Sequence, residues 1–149
     1  MNNLILRRME EKDLDMVCQI EQETFSLPWS KKSFEESIGL YHTIFLVAEM
    51  GGDVVGYCGC YQSLEEAEIV NVAVKKGMRG LGIGRKMLTE LMNLGKGQGV
   101  FAYTLEVRVS NQAAIHLYES LGFESIGIRK NFYEKPTENA MIMWRQWQI

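Results

Sequence analysis

The segment that most restricts the fold lies between residues 68 and 108. EIVNVAV is rich in β-branched residues, MRGLGIGRKMLTEL passes abruptly from a glycine loop to a helix, and VFAYTLEVRV alternates like a strand. A strand, a crossover helix and a second strand imply two parallel neighbours, because a short hairpin turn cannot return the chain in the same direction. In the helix Ile83, Met87, Leu91 and Leu94 recur at helical spacing, which marks one buried face. In the second strand Phe101, Tyr103, Leu105 and Val107 take one face, and Thr104, Glu106 and Arg108 take the other.

The flanking segments extend this into a mixed α/β (α+β) pattern. LILRRM is a first strand, and EEKDLDMVCQIEQETF carries Leu14, Val17 and Ile20 at near-helical spacing. SLPWS breaks that helix, and Ser30 caps a second one with Phe34 and Ile38 on one face. HTIFLVAEM and VVGYCGCYQ flank Gly51-Gly52-Asp53, a hairpin turn. SNQAAIHLYESLGF is a fourth helix, with Ser110 or Asn111 at its N-cap and Gly122 as a left-handed stop. The rest, ESIGIRKNFYEKPTENAMIMWRQWQI, reads as two strands joined by a polar turn. The expected order is β-α-α-β-β-β-α-β-α-β-β, about seven strands and four helices, and residues 1–149 suit a single domain.

Composition narrows the setting. A net charge of −3 argues against a nucleic-acid partner, although Lys75, Lys76, Arg79, Arg85 and Lys86 form a local basic cluster. No apolar stretch approaches the roughly 20 residues that span a bilayer, so no membrane is expected. Acidic residues follow directly on the first apolar run, which is unlike a signal peptide. Cys18, Cys58 and Cys60 are odd in number and accompanied by only two histidines. They read as buried thiols in a reducing compartment, with no metal, and the cytoplasm is the expected location.

The glycine loop suits a phosphate. RGLGIG has neither the G-x-x-x-x-G-K-[ST] of a P-loop nor the G-x-G-x-x-G of a dinucleotide site. Arg79-Gly80-Leu81-Gly82-Ile83-Gly84 instead gives R-x-x-G-x-G at a strand–helix junction. Without a Cβ at Gly82 or Gly84, a pyrophosphate can lie against the backbone at the helix N-terminus, with Arg79 and Arg85 adding charge. By itself the hexapeptide is equally a glycine-rich surface loop.

NVAVKKGMRGLGIGRKML resembles the acetyl-CoA-binding segment of the GNAT acyltransferase superfamily, and LEVRVSNQAAIHLYESLGF resembles its second signature. With IEQETFSLPWSKKSF, LEEAEIVNVAV and IRKNFY, the chain is similar to RimI-type ribosomal-protein alanine N-acetyltransferases over roughly residues 18–145. The resemblance implies a GNAT-like sheet whose central strands 4 and 5 splay around acetyl-CoA. Backbone groups of Val72, Ala73 and Val74 would pair with the pantetheine arm, one of them polarising the thioester carbonyl. Arg79, Gly80, Leu81, Gly82, Ile83, Gly84, Arg85 and Asn111 would complete the cofactor site. Glu106 matches the family's general base and Tyr118 its general acid. Phe25, Leu27, Pro28 and Trp29, with Asn131, Phe132 and Tyr133, would form a cleft for a protein N-terminus, with Glu66, Glu68 and Asn71 as polar contacts. Phe132 replaces the first Tyr of the family's usual pair, and the following turn EKPTEN is short.

Structural alternatives stand beside these roles: an N-cap for Asn111, an ion pair with Arg108 for Glu106, a core aromatic for Tyr118, and a packed connection for LPW. The chemistry favours an α-amino acceptor. At pH 7 its deprotonation (pKa about 7.8) costs roughly 1 kcal/mol, against roughly 4.6 kcal/mol for a lysine side chain (pKa about 10.4). The expected activity is therefore transfer of an acetyl group to a protein N-terminus, with a ribosomal protein starting with Ala as the implied partner. The alternatives are a small-molecule amine acceptor or a non-catalytic acyl-CoA-binding module.

Overall fold

The computed structural model describes residues 3–147. Met1, Asn2 and the final Gln148 and Ile149 of the expected last strand lie outside the described residues. The elements are β1 (Leu4–Arg8), α1 (Leu14–Thr24), α2 (Lys31–Ile38), β2 (Thr43–Met50), β3 (Asp53–Ser63), β4 (Glu66–Val74), α3 (Ile83–Gly97), β5 (Ala102–Arg108), α4 (Gln112–Ser120), β6 (Glu124–Tyr133) and β7 (Glu138–Gln146). This is the order expected from the periodicities. The first helix starts at Leu14, the first residue of its apolar spacing, and not at Glu10, where the expected helical segment opens. Asp13 is buried, its carboxylate accepts from both Arg7 guanidinium nitrogens at 2.8 and 2.7 Å and from the Glu10 N–H at 2.8 Å. Those bonds close a 3-10 turn over Glu11–Asp13 before the α-helix begins.

One mixed sheet carries all seven strands in the order β1-β2-β3-β4-β5-β7-β6. Residues 51 and 52 form the β2–β3 turn at φ +59° and +86°, as a two-residue turn with both centres left-handed requires. The β4–β5 pair is parallel, as the crossover helix implied, but its register covers only Glu66↔Ala102, Ala67↔Tyr103 and Glu68↔Thr104. Both strands run on, to Val74 and Arg108, without pairing further.

Two apolar clusters sandwich the sheet. One joins Met87, Leu88 and Leu91 of α3 and Ile115 and Tyr118 of α4 to Tyr103, Leu105 and Val107 of β5 and Met143 of β7. On the opposite face, Leu14, Val17 and Ile20 of α1 and Phe34 of α2 pack on Phe45, Val47, Tyr57 and Ala73. The faces alternate because strand side chains alternate. Val72 and Val74 lean on the first cluster, while Ala73 belongs to the second.

Glu21 ties the second layer together from within. It is 2% exposed, accepts the Tyr57 hydroxyl proton and the Trp29 N–H (2.9 Å), and takes a longer bond from the Asn71 amide (3.4 Å). Burial and the Glu21 charge push the Tyr57 phenol far above its ordinary value. Replacing Glu21 by Ala strands these donors in an apolar layer. The substitution should lower unfolding stability by about 3 kcal/mol, read as a fall in the urea midpoint, since each orphaned buried donor costs roughly 1–3 kcal/mol.

Candidate functional site

The unpaired half of β4 is the starting point. From Ile69 onward its β5-facing backbone groups have no strand partner, although β3 still pairs with it from Asn71 to Val74. The β3–β4 register shifts between Gly59↔Asn71 and Cys60↔Ile69, so Val70 is an extra residue and β4 bulges beside Asn71. A sheet interior with unsatisfied edge groups is costly unless another chain or ligand completes it.

The glycine loop sits where β4 hands over to α3. Gly80 and Gly82 have φ of +78° and +83°, and a Cβ added at either would meet nothing within 4 Å. Their backbone lies open. Gly82 is the N-cap of α3 and supplies no side-chain bond. The first intrahelical bond is the Lys86 N–H to the Gly82 carbonyl at 3.1 Å, so the N–H groups of the first turn point outward uncapped.

Gly84 plays a different part. A Cβ there would lie 3.2 Å from Leu117 Cδ2 of α4, so its smallness sets the approach of two helices. Arg85 also reaches α4, donating from Nη2 to the Ser120 hydroxyl. Arg79 donates from Nε to the Val74 carbonyl at 3.0 Å, closing the loop back on the end of β4. Leu81 is exposed, and Ile83 is buried in the core. Asn111, rather than Ser110, caps α4, its Oδ1 accepting the Ala114 N–H at 3.2 Å.

Glu106 and Tyr118 lie on opposite sides of the sheet. Tyr118 belongs to the α3–α4 cluster, 5.9 Å from the Phe123 ring, and no protein partner bonds its hydroxyl among the described residues. Glu106 alternates to the other face. The ion pair with Arg108, the alternative to a base role, does not form: Arg129 Nη1 donates to Glu106 Oε2 at 2.8 Å, and Arg108 pairs with Glu138 at 3.0 Å. The reason is strand order, since β7 and then β6 follow β5 and bring both partners alongside.

Tyr133 joins the two sides. Burial, then the Glu106 charge, pushes its phenol up to about 12. Burial, then the neighbouring Tyr133, raises the Tyr118 phenol. Both phenols stay protonated throughout the neutral range.

The loop after α1 faces the β6–β7 turn. Phe25 and Leu27 are 37% and 54% exposed, Pro28 is exposed, and Ser26 donates to the Glu134 carbonyl across the gap at 3.4 Å. Phe132 is exposed at the end of β6, and Glu66 and Glu68 are exposed as well. Trp29 separates from this group, packing on Phe34 (5.2 Å) and Phe45 (6.2 Å). Asn71 is 4% exposed and faces Glu21, with its Oδ1 unpartnered.

Arg129 carries no sequence signal of its own. Glu21 has only one cue, a carboxylate immediately after Ile20 on the buried side of an amphipathic helix. The thiols are poor nucleophile candidates. Cys58 and Cys60 are buried, and burial drives the first well above its ordinary value and the second up to about 12. Among the described residues no group of three His, Cys, Asp or Glu side chains could hold a metal, and no helix is long and apolar enough to cross a membrane.

The geometry has counterparts among known proteins. Residues 14–123 match the Acetyltransferase (GNAT) family. A Bacillus subtilis relative is 39% identical over 140 residues, covering 93% of each chain. The ribosomal protein bS18-alanine N-acetyltransferase of Escherichia coli strain K12 is 38% identical over 139 residues, 91% of this chain and 92% of its own. The crystal structure of the ribosomal-protein-S18-alanine N-acetyltransferase from Escherichia coli superposes with a TM-score of 0.90 at 33% identity, covering 98% of this chain and 95% of that one. A mixed sheet opened between its parallel strands, a glycine loop at the opening and relatedness along nearly the whole chain together make this protein an acetyltransferase of the GNAT family.

Proposed function

We propose that this acetyltransferase modifies the α-amino group of a protein N-terminus beginning with alanine, in the cytoplasm, with acetyl-CoA as donor and the whole chain acting as one domain. The observation that carries the reading is the opening between β4 and β5, with Glu106 on one face and Tyr118 on the other. Relatedness over 91% of the chain to a ribosomal protein bS18-alanine N-acetyltransferase points to an acceptor of the same kind, a ribosomal protein.

The chain's own residues fit the donor. Backbone groups of Val72, Ala73 and Val74 on the opened side of β4 would pair with an extended arm as an added strand, in which case the Val74 carbonyl would exchange its bond from Arg79. Gly80, Leu81, Gly82, Ile83 and Gly84 would present backbone to a pyrophosphate at the α3 N-terminus, with Arg79 and Arg85 as counter-charge and Asn111 contacting the donor beside its capping bond. When bound, acetyl-CoA supplies an activated acetyl group as a thioester.

Glu106 takes the proton of the acceptor amine, and Tyr118 holds a phenolic proton for the departing sulfur. Transfer is direct, since Cys58 and Cys60 lie buried and protonated, and burial with the Glu21 charge holds the half-buried Cys18 thiol above its ordinary value. Phe25, Leu27, Pro28, Asn71 and Tyr133 would line the cleft for the first residues of the acceptor. An α-amino group needs only about 1 kcal/mol to reach its neutral form at pH 7, within the reach of a single carboxylate base.

The test is a panel with acetyl-CoA: peptides starting with Ala, Ser or Met, a blocked peptide with internal Lys, and polyamines. Release of CoA with the Ala peptide is expected, and turnover only with small amines would overturn the acceptor assignment. Glu106→Gln should lower kcat by roughly 10²–10⁴-fold with acetyl-CoA affinity unchanged, the usual worth of a positioned base. Gly82→Val should weaken acetyl-CoA binding, measured by calorimetry, because a β-branched residue is strained at φ +83°. In the pH profile, kcat/KM for the Ala peptide should climb to about pH 8 as the amine deprotonates. No descending limb should follow before about pH 10, because a raised phenol pKa keeps Tyr118 and Tyr133 protonated there.

A further inference from the structure

Three parts of the site meet at Arg108, which the acceptor reading leaves without a role. It ends β5 on the same face as Glu106. Its Nη1 donates to the Pro136 carbonyl at 2.9 Å and to Glu138 Oε1 at 3.0 Å, and its Nη2 donates to the Glu134 carbonyl at 2.9 Å. Its guanidinium carbon lies 4.5 Å from the centroid of the Tyr133 ring. All four contacts fall within residues 133–138, the turn between β6 and β7 with the strand residue on either side of it. Glu138 in turn accepts the Ser110 N–H on its other oxygen at 2.7 Å, one residue ahead of the α4 cap.

Besides Arg108, the turn is held by the Tyr133↔Glu138 pair at its base, the Asn131 N–H to Asn139 Oδ1 bond at 3.0 Å and the single long bond from Ser26 to the Glu134 carbonyl. Residues 134–137 are exposed, and no apolar side chain among them is buried. Isolated surface ion pairs contribute little, because solvent screens them and long side chains resist ordering. This pair differs: both side chains are half-buried, at 24% and 17% exposure, and the guanidinium plane is fixed by two carbonyls, a carboxylate and a ring. A lysine ammonium is a point charge and cannot meet that set at once.

We infer that Arg108 is a positioning residue which, through Glu138, locks the β6–β7 turn and the Tyr133 ring against the end of β5 and the start of α4. The acceptor then meets a preformed wall, and ordering the turn is not charged against binding. This rests on the reading of Tyr133 as an acceptor-side residue.

The experiment compares wild type, Arg108→Lys and Glu138→Gln by steady-state kinetics on an Ala-starting peptide, acetyl-CoA affinity and amide hydrogen exchange. In Arg108→Lys the peptide KM should rise roughly tenfold or more, with kcat at saturating peptide kept within about threefold, the pattern of a displaced wall and an intact reaction centre. Acetyl-CoA affinity should not change. Exchange should quicken at residues 131–139 and at Ser110 but not along 66–74. Glu138→Gln, which keeps an acceptor for Ser110 and loses the charge, should show a smaller rise in KM in the same direction. An unchanged KM, or a loss confined to kcat or to cofactor affinity, would overturn the assignment. Should wild type itself fail to turn over the peptide, the acceptor reading falls, and the exchange comparison still decides the lock: unaltered protection at 131–139 in Arg108→Lys refutes it.

Discussion

Everything in this molecule depends on a parallel strand pair that stops pairing. β4 and β5 share three residues of register and then run on apart, leaving one side of an interior strand without hydrogen bonds. Buried backbone groups are costly to leave unmade, so such an opening persists only if the rest of the fold holds the two halves of the sheet in place. Here α3 crosses from the end of β4 to the start of β5 and fills one face with Met87, Leu88 and Leu91. The close approach of Gly84 to Leu117 and the bond from Arg85 to Ser120 bind α3 to α4, which follows β5. The split is thus bridged by helix contacts rather than by the sheet.

The opposite face is organised by charge and polarity. Glu21 gathers β3, β4 and the loop ahead of α2 around one buried carboxylate. Arg108 and Glu138 gather β5, the β6–β7 turn and the start of α4. Phe25 and Leu27 of the loop ahead of α2 and Phe132 at the end of β6 leave apolar surface exposed beside the Ser26–Glu134 bond. The bulge at Val70 shifts the β3–β4 register beside Asn71, one of the donors to Glu21. The two polar centres are built differently because one is sealed from water and saturated with neutral donors, whereas the other sits at a rim and uses opposite charges.

Some of this was legible in the chain. Periodicities located every strand and helix in order, because alternation and helical spacing are local properties of each element. The 3-10 turn before α1 escaped that reading, since the bonds to Asp13 from Arg7 come from the preceding strand. The glycine loop was read as a phosphate cradle, and its geometry separates the glycines: Gly80 and Gly82 need left-handed backbone, while Gly84 needs room for Leu117. Trp29, grouped with the cleft by resemblance, is half-buried and packs against the edge of the second cluster. Its neighbours Phe34 and Phe45 are brought to it only by folding.

The sequence by itself determined the element order, the parallel β4–β5 pair, the glycine-lined helix start and the alternation that sends Glu106 to one face and Tyr103, Leu105 and Val107 to the other. These follow from covalent geometry and the period of each element. Tertiary structure alone decided which charges meet. Placing β7 and then β6 beside β5 gives Glu106 to Arg129 and Arg108 to Glu138, in place of the pairing that two residues on one strand suggested. Side chains two apart on one strand point the same way but stand well separated, so a neighbouring strand is the nearer source of a partner. Strand order is a choice among long-range packings, and no local pattern encodes it.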